Sequence, residues 1–371
     1  MKILITGANG FIGKNLCVKL SEIPDIEIIP FCKGDNIEEV VSITESIDFV
    51  IHLAGANRPV KEEEFQQVNS DLTAQLCSTL KNTPYQPPVI FASSTQVDSI
   101  NPYGKSKLAA ENIFKDYSKV TGAGVTVFRL PNVFGKWCLP DYNSVVATFC
   151  HNIANDLDIN IHNPNTTLTL VYIDDVIEHF LSVIKSPEPK KYAYMEINPS
   201  YSVRLGELAT AIYNFRDSRN SLITDKVGNG FLRALYATYL SYLKPESFSY
   251  PLVSHKDNRG IFVEFLKTPE SGQFSFFTAH PGITRGGHYH HTKNEKFLVV
   301  QGAASFKFRN ISTGQFFEKE TSSDLPEVVE TIPGWAHDIT NTGDNDLIVL
   351  LWANEIFDKN NPDTIGASLD E

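Results

Sequence analysis

The run KILITGANGFIG at residues 2–13 decides the fold of the first half of the chain. Its opening residues are apolar on both faces, as expected of a strand covered by helices on each side of a parallel sheet. Gly7, Gly10 and Gly13 follow at once, and a helix is predicted over 12–22. Strand, glycine turn and helix N-terminus in that order form a seat for a pyrophosphate. The small residues let the backbone come close, and the first N–H groups of the helix point at the anion. The competing reading is a turn whose glycines serve strand–helix packing alone.

Outward from this run, IEIIPF (26–31), FVIHLAG (49–55), PVIFASS (88–94) and VTVFRL (125–130) are further short apolar strands, with helices predicted at 62–82 and 104–120. Period two alternating with period three to four is the pattern of repeated βα units, hence a Rossmann-type α/β architecture. The Pro- and Lys-rich segment 185–191 reads as a surface connection, because another strand and helix follow it. FLRALYATYLSYL (231–243) is a last helix, ended by Lys244, Pro245 and Glu246. The composition then changes. IFVEFL, GQFSFFTAH, EKFLVV, AASFKFRN, TGQFFEK, PEVVETI and DLIVLLWANE come in close order, separated by turn residues and by no helix. That spacing predicts an antiparallel sandwich or barrel. Two domains are expected, 1–246 and 247–371, which suits a chain of 371 residues.

With 42% hydrophobic and 20% charged residues, the chain has ample material for cores, which excludes disorder. A net charge of −12 argues against a general nucleic-acid or anionic-membrane binder. Neither a signal peptide nor an apolar run of membrane-spanning length is found. Cys17, Cys32, Cys77, Cys138 and Cys150 are odd in number and irregular in spacing, so buried thiols in a reducing cytoplasm are expected rather than a disulfide framework.

Tyr103 and Lys107 lie four apart near a predicted helix start, on one helical face. An ammonium there can lower the phenol pKa, and the Ser94 hydroxyl can orient the reacting oxygen, so that the phenol donates a proton to a carbonyl. The pair alone is common on solvated helices; its weight comes from the glycine loop and the strand-end ASST. Lys33, just after the second strand, would pair with a 2′-phosphate and favour NADPH over NADH. A solvent-facing turn lysine is the rival reading. Arg129 and Lys136 offer charge to a ligand, against a salt-bridged arginine and an exposed lysine.

Through TGANGFIG, HLAG (52–55), VNSDLT (68–73), FASST (91–95), YGKSK (103–107), FRLPNVFG (128–135) and VYIDDV (171–176), the first two thirds of the chain resemble the extended short-chain dehydrogenase/reductases that act on nucleotide sugars. The resemblance implies dinucleotide contacts from Gly7, Asn9, Gly10, Phe11, Ile12, Gly13, Lys33, Leu53, Ala54, Gly55 and Asn69. It implies catalysis by Ser94, Tyr103 and Lys107, and sugar-nucleotide contacts from Asn132, Arg204 and Arg233. Only eight residues separate Ser94 from Tyr103, so that loop must be compact. No acidic pair of the 4,6-dehydratase kind follows ASST, which favours simple carbonyl reduction.

In RGGHYHHTKNE (285–295), His288 and His290 share one face of a strand, and Glu295 and His337 complete a set suited to zinc, nickel, manganese or iron. His291 would point away. The alternative is a group of polar histidines that binds no metal. Gly282, His288, His290, Glu295 and Gly302 stand at the spacing of the first cupin motif, and Pro333, Gly334, His337 and Asn341 resemble the second. An all-β cupin barrel holding one divalent ion, zinc by preference, is implied. DNRGIFVE (257–264) and RGGHYHH (285–291) are also similar to epimerases of keto-deoxy sugar nucleotides, where the histidine at the position of His288 acts as base. Reductase followed by cupin resembles one bacterial family of capsule and O-antigen synthesis. It implies C3-epimerisation of a UDP-2-acetamido-2,6-dideoxy-4-keto-hexose, reduction at C4 with NADPH, and a homodimer. Two other readings fit the same residues: a ketoreductase with a structural or dimerising β-domain, and a sugar-nucleotide-binding scaffold without turnover.

Overall fold

The computed structural model describes residues 1–43, 46–186, 191–253, 255–257, 260–262, 266, 272–355 and 360–369. Pro187 to Lys190 of the expected surface connection, and Asn258, Arg259, Val263 and Glu264 of the DNRGIFVE stretch, lie outside them.

Six parallel strands form the first sheet: β1 (Lys2–Thr6), β2 (Glu27–Phe31), β3 (Phe49–His52), β4 (Val89–Ser94), β5 (Val125–Leu130) and β6 (Tyr192–Met195). Their order is β2-β1-β3-β4-β5-β6. The direction of winding reverses between β1 and β3. At such a switch point the loops leaving the two strands diverge and open a crevice beyond their carboxyl ends, where open α/β sheets bind ligands. Helices α1 (Phe11–Ser21), α2 (Ile37–Ile43), α3 (Leu72–Lys81) and α4 (Pro102–Thr121) connect these strands. On one face Leu4, Val50, Phe91 and Val127 pack with Leu76, Leu80, Phe114 and Tyr117 from the helices into a core with almost no solvent access. The expected strands are all present.

After α5 (Val145–Ala154), α6 (Ile173–Lys185), α7 (Leu205–Ser221) and α8 (Gly230–Leu240), the described chain is almost wholly strand. One antiparallel sheet contains β7 (Ser249–Pro251), β8 (Gln273–Ala279), β10 (Glu295–Gln301), β13 (Glu327–Glu330) and β15 (Leu347–Ala353), in the order β7-β13-β10-β15-β8. The other contains β9 (Thr284–Tyr289), β11 (Ala303–Asn310), β12 (Phe316–Ser322), β14 (Trp335–Asn341) and β16 (Ile365–Gly366), in the order β12-β11-β14-β9-β16. β9 and β14 were not among the stretches that alternation picks out. Glycines and polar residues interrupt their apolar pattern, and those polar residues include the histidines considered below.

The chain divides into two compact units, Met1–Ser144 with Leu168–Val203, and Val145–Thr167 with Arg204–Glu371. This division falls elsewhere than the change of periodicity at 246. The reason is packing: α5, α7 and α8 lie against one another, and Arg219 of α7 and Tyr236 of α8 both bond the carboxylate of Glu330 on β13. Lys296 of β10 reaches the same carboxylate at 3.2 Å. Residues 204–246 are helical, like the first half, yet their buried polar contacts are with strands of the second. The five cysteines are thiols; Cys77 and Cys150 are buried as expected, while Cys17, Cys32 and Cys138 are half-exposed.

Candidate active site and metal centre

The glycine loop begins at Gly7, whose φ of +72° is a left-handed conformation that L side chains rarely adopt. A Cβ there would stand 2.8 Å from the amide nitrogen of Ala54, so the absence of a side chain lets the ends of β1 and β3 meet. Gly10 precedes α1 with no side-chain cap, and the first turn holds no acidic residue. The helix N-terminus is thereby left to an anion. Asn9 and Gly10 are exposed, and Phe11 and Ile12 half-buried. Lys33 is exposed beyond β2. Asp35, two residues on, turns back to accept the Cys32 N–H at 2.7 Å.

His52 locks this region. The Thr73 hydroxyl donates to the Asn69 carbonyl at 2.7 Å, so its oxygen must accept from His52 Nε2–H at 3.0 Å. His52 Nδ1 then accepts the Thr6 hydroxyl at 2.8 Å, while Thr6 Oγ1 accepts the N–H groups of Leu53 and Ala54. Complete burial, and the nearby Lys107 cation, push the imidazole pKa down to about 3, so it is neutral. Asn69 sits on a π-helical turn, Gln66–Asp71. Its side chain bonds Ala56 in both directions, at 2.8 and 3.0 Å, and donates to Ser106 at 2.9 Å.

Ser94 closes β4, and a 3₁₀ turn, Thr95–Asp98, leads to Asn101, which caps α4 by accepting the Gly104 N–H at 2.7 Å. A Cβ on Gly104 would stand 2.1 Å from the Gln96 carbonyl oxygen, so the short segment between Ser94 and Tyr103 closes because residue 104 lacks one. Ser94 is buried whereas Thr95 is exposed, and the Ser94 hydroxyl acts to lower the Tyr103 phenol pKa. Burial raises the phenol pKa and the Ser94 bond offsets only part of the rise. This runs against the expectation of a lowered phenol pKa, because desolvation is the larger effect on the ring. Lys107 is 5% exposed and donates to the Ala92 carbonyl at 3.0 Å. Burial lowers its pKa to about 8, against the attraction of Glu111.

Arg129 is committed to Glu111, with bonds of 3.0 and 2.7 Å, which is the salt-bridged reading. Lys136 is buried rather than exposed and pairs with Asp174 at 2.7 Å. Asn132 is exposed, and its amide donates to the Thr169 carbonyl at 3.3 Å. Within the second unit, Arg204 is exposed and pairs with Glu207 at 3.1 Å. Arg233 donates to Thr292 and stands 3.5 Å from Glu355.

In the second unit His288, His290, Glu295 and His337 each place a ligand atom within 4.8 Å of the others. β9 and β14 pair His288 directly with His337. His290 lies just past the end of β9, not within it, and Glu295 opens β10. The Nδ1–H of His290 donates to the Asp363 carbonyl, so in its neutral tautomer Nε2 bears a lone pair. That lone pair faces Glu295 Oε2 at 3.2 Å, and His337 Nε2 faces the same oxygen at 3.5 Å. Acceptors converging on one point fit a cation, whose ligands at about 2.0–2.2 Å lie roughly 3–4 Å apart. Burial, then the charges of His337 and His290, push the His288 pKa down to about 4, so the ring is neutral and one nitrogen keeps a lone pair for an ion. Burial opposes ionisation of Glu295, yet the imidazoles of His290 and His337 beside it hold its carboxyl well below the usual carboxylate range. His291, expected to point away from the other histidines, is buried beside the Tyr289 ring. Asp363 and Lys293 escaped the sequence reading. Asp363 lies some seventy residues from the loop it bonds, in a segment with no motif.

Residues 3–195 match the NAD dependent epimerase/dehydratase family, and residues 255–365 the polysaccharide biosynthesis C-terminal domain. A UDP-2-acetamido-2,6-beta-L-arabino-hexul-4-ose reductase of Pseudomonas aeruginosa is 53% identical over 371 residues, the whole of both chains. This chain belongs to the NAD dependent epimerase/dehydratase family. The capsular polysaccharide assembling protein CapF of Staphylococcus aureus shares 40% identity with it, with a TM-score of 0.68 over 99% of this chain and 100% of that one. CapF with the inhibitor 3-isopropenyl-tropolone shares 37% at a TM-score of 0.62, with the same coverage. Membership establishes an NAD(P)-binding Rossmann domain joined to a C-terminal all-β domain. Among the described residues no helix is long and apolar enough to cross a membrane.

Proposed function

We propose that the chain is a bifunctional enzyme of capsule or O-antigen sugar synthesis. Residues 247–371 epimerise C3 of a UDP-2-acetamido-2,6-dideoxy-4-keto-L-hexose, and residues 1–246 reduce its C4 ketone to UDP-N-acetyl-6-deoxy-L-talosamine, on the route to UDP-N-acetyl-L-fucosamine. The end-to-end likeness to the Pseudomonas aeruginosa reductase carries this reading. The two steps belong together chemically, since a C4 ketone acidifies the C3 proton by delocalising the carbanion into an enolate.

The glycine loop, from Gly7 through Asn9, Gly10, Phe11 and Ile12 to Gly13, holds the pyrophosphate of NADPH, and Lys33 meets its 2′-phosphate. Leu53, Ala54 and Gly55 line the opposite wall, braced by Asn69. Bound NADPH supplies the hydride to C4. Tyr103 gives its proton to the C4 oxygen, the Ser94 hydroxyl fixes the direction of that transfer, and the Lys107 ammonium stabilises the phenolate left behind. A phenol whose pKa is raised stays protonated at neutral pH, as an acid for carbonyl reduction must. Asn132, Arg204 and Arg233 bind the sugar nucleotide; Arg204 and Arg233 must first exchange their carboxylate partners.

The all-β part is a cupin barrel in which His288, His290, Glu295 and His337 hold one divalent ion, zinc by its nitrogen and oxygen donors. When bound, the ion supplies Lewis acidity to the ketone oxygen. A tropolone chelates such ions through adjacent oxygens, and 3-isopropenyl-tropolone is an inhibitor of CapF. The protein works in the cytoplasm as a homodimer. The test is to supply a UDP-4-keto-6-deoxy-HexNAc with NADPH in deuterated water. Oxidation of NADPH with deuterium at C3 of the product is expected, and a product without C3 label rules out the epimerase half.

A further inference from the structure

The strand that carries His288 is paired on both sides. β14 brings His337 to one edge, and β16 lies on the other, with Gly366 opposite His288 and Ile365 opposite Tyr289. The Ala367 N–H then closes on the Gly287 carbonyl at 2.8 Å. Just before β16, Asp363 takes up the whole turn that follows His290. Its backbone carbonyl accepts His290 Nδ1–H. Its Oδ1 accepts the His291 N–H at 2.9 Å, and its Oδ2 accepts the N–H groups of Thr292 and Lys293 at 2.7 Å each, with the Thr292 hydroxyl at 3.1 Å. Thr364 Oγ1 accepts from the Lys293 ammonium at 3.1 Å, and that ammonium stands 3.4 Å from Glu295 Oε1. The oxygen of Glu295 turned away from the histidines is thus the one held by Lys293.

We infer that Asp363–Ala367 is the positioning element of the metal centre, with Asp363 as its anchor. This rests on reading the three histidines and Glu295 as a metal site, and adds that the C-terminal segment fixes the aim of three of the four ligands. The physical reason is that a metal-binding imidazole must have its other nitrogen held if the ring is to point its lone pair at one place. Here the holder is a carbonyl, and that carbonyl is kept in position by four bonds to its own residue's carboxylate. Without the carboxylate, three backbone N–H groups of the turn lose their acceptor, and the turn has no reason to keep the His290 ring in register with Glu295. Asp363 is therefore a positioning residue.

The experiment is Co²⁺ binding to the full-length protein by chelator competition, with the visible d–d spectrum as a reading of ligand geometry. Asp363→Ala is expected to bind Co²⁺ about 10- to 100-fold more weakly than the parent, the range for lost partners of metal ligands, and to show a changed spectrum. Asp363→Asn keeps the size and one acceptor, so a smaller loss with a shifted spectrum is expected, and it serves as the comparison if the alanine variant does not fold. Parent-like affinity and spectrum in the variant that folds overturn the inference. A parent chain that takes up no Co²⁺ overturns the metal reading itself, and this inference with it.

Discussion

In the proposed reduction Tyr103 has to keep its proton until a carbonyl oxygen takes it, and burial, which raises the phenol pKa, serves that. Tyr103→Phe is expected to lower the hydride-transfer rate by a factor of about 10² to 10⁴, the usual worth of a general acid, while NADPH binding followed by fluorescence changes little. Equal loss of both would remove the acid role. Lys107 sets the pH limit. Its burial lowers the ammonium pKa to about 8, so the charge is present below that pH and lost above it. The reductase kcat/KM should therefore fall as pH rises through about 8, although the phenol is still protonated there; a flat profile from pH 7 to 9.5 would contradict this. Both residues were legible from their spacing and from the loop before them. His52 was not. It appeared only as part of HLAG, and its neutral, fully bonded state depends on Thr6 and Thr73, which no local pattern connects to it.

At the scale of elements, α4 carries the phenol and the ammonium, and its N-terminal seat on the 3₁₀ turn fixes where both point. The strands β9, β10 and β14 do the same for the histidine cluster. His290 departs from simple alternation because β9 ends at Tyr289 and contains a register shift between Gly286 and His288. His290→Ala should lower the metal content of the purified protein, measured by elemental analysis, and full occupancy in that variant would take it out of the ligand set. The helices α7 and α8 are tied to the strands through Glu330, whose carboxylate serves both Arg219 and Lys296 in a site nearly closed to water. Glu330→Gln would strand two buried cations. A destabilisation of about 3–5 kcal/mol is expected in urea unfolding, since removing one partner of a buried pair leaves the charge uncompensated.

For the molecule as a whole, the two chemistries should separate under metal removal. Chelator-treated protein is expected to lose C3 deuterium exchange while it still reduces a pre-epimerised 4-keto substrate with NADPH. Exchange that persists in the chelated, folded chain would make the ion structural. The sequence by itself determined the class of each half, because period two and period three to four are local, and it singled out the glycine loop, the Ser94, Tyr103 and Lys107 set, and His288, His290 and Glu295 as candidates from residues a few positions apart, with His337 joined to them only through the resemblance. Only the tertiary structure decided that residues 204–246 pack with the strands that follow them, that Arg129 and Lys136 are committed to carboxylates, and that Asp363 supports His290. These depend on hydrogen bonds and buried ion pairs between residues far apart in the chain. Such contacts form to satisfy groups that folding has taken out of water, and no short-range pattern encodes their partners.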